Sequence, residues 1–123
     1  MLVTNKKTVP LGLYDGFQTE LLIGETNSNS KEISIQITEV ALGGMQFLHS
    51  HDEAQCYYIV CGTGLMLIDD EEQKVIEGDA VFIPSRASHG IKNIGPETLV
   101  YLTANQAFGV EREKTVWPYP SQQ

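Results

Sequence analysis

The sequence predicts an all-β sandwich or barrel, and three observations support that prediction. Short stretches rich in β-branched and aromatic residues recur along the chain, several of them alternating apolar with polar residues. Glycine or proline turns separate these stretches about every eight to twelve residues. No segment shows a convincing apolar stripe with helical spacing. The 123 residues suit a single domain with one core, covering residues 1–123.

The N-terminal third contains an arm, one strand and a loop. Residues 1–12 show no apolar period and are predicted to form an N-terminal arm. Residues 14–23 predict a strand that is interrupted near Gly16. Residues 24–31, GETNSNSK, have the composition of a loop.

Residues 32–41, EISIQITEVA, alternate strictly between apolar and polar side chains. Successive side chains of a strand point to opposite faces, so this segment predicts a half-buried antiparallel strand. One face carries Ile33, Ile35 and Ile37, and the other carries Ser34, Gln36 and Thr38. The alternation does not say whether the isoleucine face packs in the core or against a second subunit.

The remaining strands follow at short intervals. They are predicted at residues 45–51, 56–61, 65–68, 73–76, 80–83, 88–92 and 98–103. The acidic residues 69–72 form a predicted hairpin tip. Residues 113–123 are predicted to be a C-terminal tail, in which Trp117 and Tyr119 pack on the barrel or on a second subunit.

Charge and composition exclude several classes of partner. The formal net charge of −8 argues against nucleic acid and anionic lipid, because both need basic surfaces. It also argues mildly against a highly anionic substrate, unless a metal and a local arginine or lysine attract it. No run of about 18 apolar residues occurs, so no membrane span is expected. The N-terminus lacks the apolar stretch of a secretory signal.

The two cysteines are predicted to be free thiols. Cys56 and Cys61 lie five residues apart in one predicted strand, so their side chains should face opposite sides. Free thiols are typical of a reducing compartment, which predicts a cytoplasmic location.

The three histidines suggest a metal site. His49 and His51 form a His-x-His pair within an apolar, β-rich stretch, so both imidazoles should share one face of a strand. The third histidine, His89, lies in a separate ordered stretch. Two imidazoles on one face, a further ligand nearby and a histidine from another strand make a plausible metal cage.

The spacing of the first stretch is regular. Five residues separate Gly43 from His49, and the pair His49-x-His51 is followed after three residues by Gln55. Six more residues lead to Gly62. In the second stretch, five residues separate Gly78 from Pro84.

The second stretch continues with the same regularity. Arg86 stands two positions after the proline, His89 follows after two more residues, and Asn93 follows after another three. These two stretches resemble the two sequence motifs of the cupin superfamily, in particular its small single-domain, sugar-isomerase-like members. The family usually has glutamate at the position of Gln55 and glycine at that of Arg86. The resemblance covers roughly residues 33–102.

The resemblance implies a double-stranded β-helix, or jelly-roll barrel, that holds a divalent metal: zinc, nickel, manganese or iron. It places the metal on His49, His51, Gln55 and His89. The residues alone leave Glu53 as an alternative fourth ligand, because Glu53 has the same strand parity as Gln55. Without a carboxylate the ligand shell is neutral, which should make the metal a stronger Lewis acid and should hold it less tightly.

The predicted function is a Lewis-acid enzyme of the isomerase, lyase or cyclase type. Its substrate would be an oxygenated small molecule, such as a sugar acid or an enolisable carbonyl compound. Tyr57 shares the inward parity of Gln55 and is a candidate proton donor or acceptor. An iron-dependent dioxygenase and a non-catalytic binding module are the alternatives. A homodimer is expected, because small cupins commonly pair.

A third pattern follows the second motif. Cupins that linearise unsaturated uronates carry an Asp-x-Phe-x-x-x-Arg run there, and the nearest match is Gln106, Phe108 and Arg112. Because an amide cannot shuttle a proton, Gln106 places the same reaction in doubt. Arg86 is expected to be solvated, although it could reach a substrate carboxylate. Asn93 is expected to bond to backbone groups.

Overall fold

Antiparallel strands are the main elements of the computed structural model, which describes residues 1–115. The strands are β1 (Leu11–Tyr14), β2 (Phe17–Ile23), β3 (Ser34–Val40), β4 (Met45–His49), β5 (Gln55–Cys61), β6 (Thr63–Ile68), β7 (Glu71–Ile76), β8 (Ala80–Ile83), β9 (His89–Asn93) and β10 (Leu99–Asn105). Two short helices complete this part of the chain, α1 (Glu25–Ser28) and α2 (Val110–Thr115).

The strands form two sheets around one core. The six-stranded sheet has the order β1-β2-β3-β10-β5-β8, and the four-stranded sheet has the order β4-β9-β6-β7. Neighbours such as β3 and β10 are distant in sequence, so the chain crosses repeatedly between the sheets. Buried residues of both sheets, including Val40, Ile59, Met66 and Ile91, pack in one apolar cluster. The predicted all-β jelly roll is confirmed.

The N-terminal strand differs from the prediction. Residues 14–23 are not one interrupted strand, because β1 and β2 pair as a hairpin with Tyr14 opposite Phe17. Gly16 adopts a φ of +89° in the turn, a conformation that glycine reaches without steric cost. The predicted arm is also two residues too long, because Leu11 and Gly12 already belong to β1.

The two helices were not predicted from the sequence. Each is too short to show an apolar period, and α1 falls within the predicted loop at residues 24–31. Neither is long or apolar enough to cross a membrane, and no other helix occurs in residues 1–115. The first three residues of the predicted tail, residues 113–115, belong to α2. Trp117 and Tyr119 lie outside the described residues.

Strand β3 turns its polar face inward. Ser34, Gln36 and Thr38 have no exposed surface, whereas Ile33, just before the strand, is 56% exposed. Part of this polar face finds partners inside the barrel, since the Thr38 hydroxyl bonds to that of Thr19 at 3.0 Å. The isoleucines therefore lie on the outside of the six-stranded sheet.

The outer side of this sheet is apolar across four strands. Ile37, Leu102 and Tyr58 lie side by side on β3, β10 and β5 and form one row across the sheet. The next row consists of Ile35, Ala104 and Cys56. Phe82 of β8 continues the second row. We call these seven residues the outer apolar face. Tyr58 and Phe82 are 49% and 63% exposed, so this face remains open in a single chain.

Both cysteines are free thiols, as predicted. Cys56 is exposed on the outer apolar face, while Cys61 is partly buried at the end of β5. The Cys61 thiol lies 3.8 Å from the carbonyl oxygen of Thr98, which is its hydrogen-bond partner.

Candidate metal centre

The fold brings the three histidines together at one end of the barrel. His49 ends β4 and lies directly opposite His89, the first residue of β9. His51 follows two residues later, beyond the end of β4, so the prediction that both imidazoles lie on one strand is wrong, although the two rings do meet. One nitrogen from each of the three rings lies within 4.8 Å of the other two. This group of three imidazoles could hold a metal ion.

Backbone carbonyls orient each imidazole. The Nδ1 atoms of His49, His51 and His89 lie 3.0, 2.8 and 2.9 Å from the carbonyl oxygens of Phe47, Glu53 and Ala87. For His51 and His89, donation from Nδ1 leaves the lone pair on Nε2, because a neutral imidazole carries one proton. Nδ1 of His49 also faces the side-chain amide of Gln46. The Nε2 atom of His51 is buried and has no hydrogen-bond partner among residues 1–115. Metal-ligating histidines are commonly oriented in this way.

Gln55 lies beside the imidazoles with its amide held in one orientation. Its Nε2 donates to Oδ1 of Asn105 at 3.2 Å, and Asn105 in turn donates to the carbonyl oxygen of Gln106 at 2.6 Å. Gln55 Oε1 therefore points to Nε2 of His89 at 3.2 Å. If His89 donates from Nδ1, two lone pairs face each other there. A cation between them removes the repulsion, so the residues fit a metal ion.

Glu53 occupies a different position. Its carbonyl oxygen accepts the hydrogen bond from Nδ1 of His51, and its carboxylate lies 3.8 Å from that same nitrogen. The Glu53 carboxylate therefore faces Nδ1, and not the Nε2 atom that carries the free lone pair. The structure thus brings the Gln55 oxygen, and not the Glu53 carboxylate, to the side of the imidazoles where Nε2 lies. The assignment of Gln55 as the fourth ligand stays a prediction.

The electrostatic environment keeps the imidazoles neutral. Burial is the largest cause and lowers the pKa of His49 to about 3 and that of His89 to about 4. Positive charge on His89 further lowers the pKa of His49. Burial also lowers the pKa of His51, and the Arg112 guanidinium adds to that effect. At neutral pH all three rings are therefore available as neutral ligands.

Gln46 is a residue of the site that the strand pattern did not reveal. Strict alternation along β4 puts Gln46 on the face opposite His49, yet its side chain is completely buried. The register shifts between Gln46 and His49, so both side chains point inward. The Gln46 amide nitrogen lies 2.8 Å from Nδ1 of His49. A bulge of this kind leaves no signal in the alternation of the sequence.

Tyr57 is buried in the barrel beside His89. It is 1% exposed, stacks on Tyr101 with ring centroids 4.3 Å apart, and meets the edge of His89 at 6.3 Å. The predicted inward position of Tyr57 is therefore correct. Packing in the apolar cluster accounts for its burial, and its catalytic role stays a prediction.

Phe108 and Arg112 both reach the site. The Phe108 ring lies 5.2 Å from that of His51, and the Arg112 guanidinium carbon lies 4.6 Å from the Phe108 centroid. Nη2 of Arg112 is buried and has no hydrogen-bond partner among residues 1–115. The third residue of the run, Gln106, is exposed. Its backbone carbonyl oxygen accepts a hydrogen bond from the side chain of Asn105.

Arg86 lies in solvent, whereas Asn93 bonds to the backbone. Arg86 is highly exposed, pairs with Asp52 at 3.2 Å and has a φ of +67°, which explains why glycine is usual at this position. The side-chain amide of Asn93 donates to the carbonyl oxygens of Val40, Ala41 and Glu97. Both expectations are met: Arg86 is solvated, and Asn93 bonds to the backbone.

A separate groove of about 580 Å³ lies between the edge strands β7 and β8. Its floor includes Met66 and Val75, and its rim includes Glu71, Glu72 and Asp79. No histidine lines it. The converging imidazoles, and not this groove, mark the candidate site, because only they combine neutral ligand atoms with lowered pKa values.

Sequence comparison decides the family. Residues 36–105, more than half of the chain, match the cupin domain family Cupin_2. The chain belongs to this family. An uncharacterised protein of Methanocaldococcus jannaschii is 42% identical over 57 residues, which are 46% of this cupin and 46% of that protein. The match therefore spans about half the length of the relative.

Solved structures share the fold of this cupin. A predicted oxalate decarboxylase from Thermotoga maritima superposes with a TM-score of 0.75 at 21% identity, covering 87% of this chain and 100% of that one. KdgF from Halomonas superposes with a TM-score of 0.71 at 18% identity, covering 86% and 94%. At these identities the likeness extends to the fold alone, and the activity has to be argued from the site.

Proposed function

We propose that this cupin is a metal-dependent isomerase or lyase for a small sugar acid. The residues that would hold the metal are His49, His51, His89 and Gln55, which offer three neutral imidazoles and one amide oxygen. Such nitrogen-rich sets suit divalent transition metals. When bound, the metal supplies Lewis acidity that polarises a carbonyl or hydroxyl oxygen of the substrate.

The observation that carries the proposal is the position of Arg112. Its guanidinium lies over Phe108, whose ring contacts His51, and its buried Nη2 has no partner in the described part of the chain. Its positive charge is close enough to lower the pKa of both His49 and His51. An arginine in this setting suits a carboxylate, to which it can donate two parallel hydrogen bonds. It also supplies the local cation that an acidic protein needs to attract an anionic substrate.

The chain's own residues would divide the remaining work. Arg112 would bind and orient the carboxylate, while Phe108 would pack beside the substrate and exclude water from the histidines. Tyr57, edge-on to His89, is the proposed group that holds or moves a proton at its hydroxyl. Because Gln106 is exposed and carries no acid, the proton path differs from that of the uronate enzymes the sequence resembles.

The test compares a sugar acid with its neutral ester. We expect metal-loaded protein to bind D-galacturonate at least about tenfold more tightly than methyl D-galacturonate, since a hydrogen bond to a charged group contributes about 1.5–3 kcal/mol. Arg112→Ala should remove this difference in calorimetric titrations. Arg86→Ala is the matched control and should preserve it, because Arg86 is bonded to Asp52 in solvent.

Turnover distinguishes the alternatives. Under argon, metal-loaded protein should convert at least one sugar acid. Activity that requires oxygen would replace the proposal with an iron-dependent dioxygenase. Tight binding without turnover of any sugar acid would favour a binding module. Equal affinity for galacturonate and its ester would contradict the role of Arg112.

We further propose that two copies of this cupin pair through the outer apolar face. The seven residues of this face are uncharged, which suits a contact between two chains of net charge −8. A face of this kind, exposed on four strands, is characteristic of a protein–protein contact. In a symmetric dimer, the outer apolar face of one copy would pack against the same seven residues of the other copy.

Introducing a charge should separate the two copies. Tyr58→Glu buries a carboxylate in the contact and is expected to convert a dimer, of twice the 13.6 kDa chain mass, into a monomer in sedimentation experiments. Gln73→Glu adds the same charge on the exposed strand β7 and should leave the dimer intact. A wild-type protein that sediments as a monomer at micromolar concentration would contradict the proposal.

A further inference from the structure

Helix α2, which carries Arg112, is fastened to helix α1 by one carboxylate. Glu113 Oε2 accepts from the backbone N–H of Glu25 at 3.0 Å. Glu113 Oε1 accepts from the backbone N–H of Thr26 at 2.9 Å and from the Thr26 hydroxyl at 2.8 Å. Glu113 is 8% exposed, so three hydrogen bonds to a largely desolvated carboxylate join segments 87 and 88 residues apart.

The contact leaves no room for a larger residue at Gly24. A Cβ atom there would lie 2.6 Å from Oε2 and 2.8 Å from Cδ of Glu113. The Gly24 backbone is extended, with φ −149° and ψ −173°, so an alanine would meet no backbone strain. Gly24→Ala therefore acts on the Glu113 carboxylate itself, which would have to leave its three donors.

Glu113 and Arg112 are consecutive residues and share no partner among the recorded contacts. Glu113 points to α1, while Arg112 lies over Phe108 at the histidines. Within residues 1–115, the guanidinium stacks on Phe108, and its positive charge lowers the pKa of His49 and His51. A stacking contact alone leaves an arginine free to rotate. The position of Arg112 thus depends on where the backbone of α2 is held.

We infer that Glu113 is a positioning residue for the substrate carboxylate. By holding α2 against α1 it keeps Arg112 over Phe108, whose ring lies beside His51. This inference rests on the proposed function, in which Arg112 binds the carboxylate. It makes α1, a four-residue helix outside the motifs of the family, part of the specificity of the site.

The experiment breaks the contact from both sides. Glu113→Gln keeps the size of the side chain but places an NH2 group against backbone N–H donors, and Gly24→Ala displaces the carboxylate from the opposite segment. In metal-loaded protein each should weaken D-galacturonate binding about five- to tenfold while affinity for methyl D-galacturonate stays unchanged. Glu77→Gln removes the same charge at a distant exposed turn and should change neither affinity.

A double-mutant comparison separates positioning from general stability. In an Arg112→Ala background, Glu113→Gln should cause no further loss of galacturonate affinity, because its effect passes through Arg112. Loss of affinity for both ligands, a further loss in that background, or an unchanged preference in folded variants would overturn the inference. Metal content and thermal melting establish that the variants are loaded and folded.

A spectroscopic readout decides the inference without a substrate. The Phe108 ring should shift the Nε–H resonance of Arg112 in NMR spectra, and Phe108→Leu should identify that shift by removing it. Glu113→Gln and Gly24→Ala should reduce the shift, and Glu77→Gln should not. If Arg112→Ala leaves galacturonate binding unchanged, the proposed function fails, while this resonance still shows whether Glu113 positions Arg112. An unaltered resonance in both variants would overturn the positioning role itself.

Discussion

Replacing His89 with alanine is expected to abolish stoichiometric metal binding. His89 is fully buried, lies opposite His49 in the sheet and contacts the Gln55 oxygen. In the proposed site its loss would remove one ligand and the neighbour of two others. Loss of groups that merely orient ligands already costs about 10–100-fold in affinity, and a direct ligand should cost at least as much. Elemental analysis and competition with a chelator measure the effect. Retention of one tightly held ion per chain in folded His89→Ala would contradict the assignment.

The same assay settles the fourth ligand. Gln55→Ala should weaken metal binding about 10-fold or more, whereas Glu53→Ala should leave it nearly unchanged, because the Glu53 carboxylate lies near Nδ1 of His51. Gln55→Glu should bind metal more tightly than the wild type by adding a negative charge to a neutral shell. The opposite order of the two alanine variants would reassign the ligand to Glu53.

The metal-free protein should lose stability as the pH falls from about 7 to 5. The pKa values of His49 and His89 are lowered to about 3 and about 4, whereas an unfolded histidine titrates near 6.5. Within this window the unfolded chain binds protons that the native chain does not, so the stabilisation present above pH 6.5 is lost on acidification. The free energy of unfolding should fall by at most about 1.4 kcal/mol per pH unit for each imidazole. Urea unfolding in the presence of a chelator measures it.

The chain has only three histidines, and all three lie in this site. A slope between pH 5 and 7 therefore reports on the site, since ordinary carboxyl groups titrate at lower pH. His49→Gln should remove part of the slope. If the wild-type stability were flat across this window, the imidazoles would not be buried in neutral form.

Much of the fold could be predicted from the sequence because the strands rest on local spacing, and the two motifs also predicted that the three histidines meet. Gln55, Tyr57 and Ile59 line the inner wall by the two-residue period of a strand. His49 and His51 are close in sequence and meet at the site, although β4 ends at His49 and His51 lies beyond it. Gly16 signalled a turn, although the hairpin of β1 and β2 was interpreted as one strand. Helix α1 left no periodic signal because four residues make a single turn.

Tertiary structure alone decided the features that depend on distant partners. Alternation in β3 defines two faces, but only the pairing of Thr38 with Thr19 and the enclosure by the second sheet show that the polar face is inside. The register shift beside His49 that turns Gln46 inward depends on the pairing of β4 with β9. Arg112 lies near the histidines on helix α2. Glu113 holds this helix against Glu25 and Thr26, which are 88 and 87 residues away in sequence. Strand parity and motif spacing are properties of neighbouring residues, whereas these contacts exist only once the chain has closed on itself.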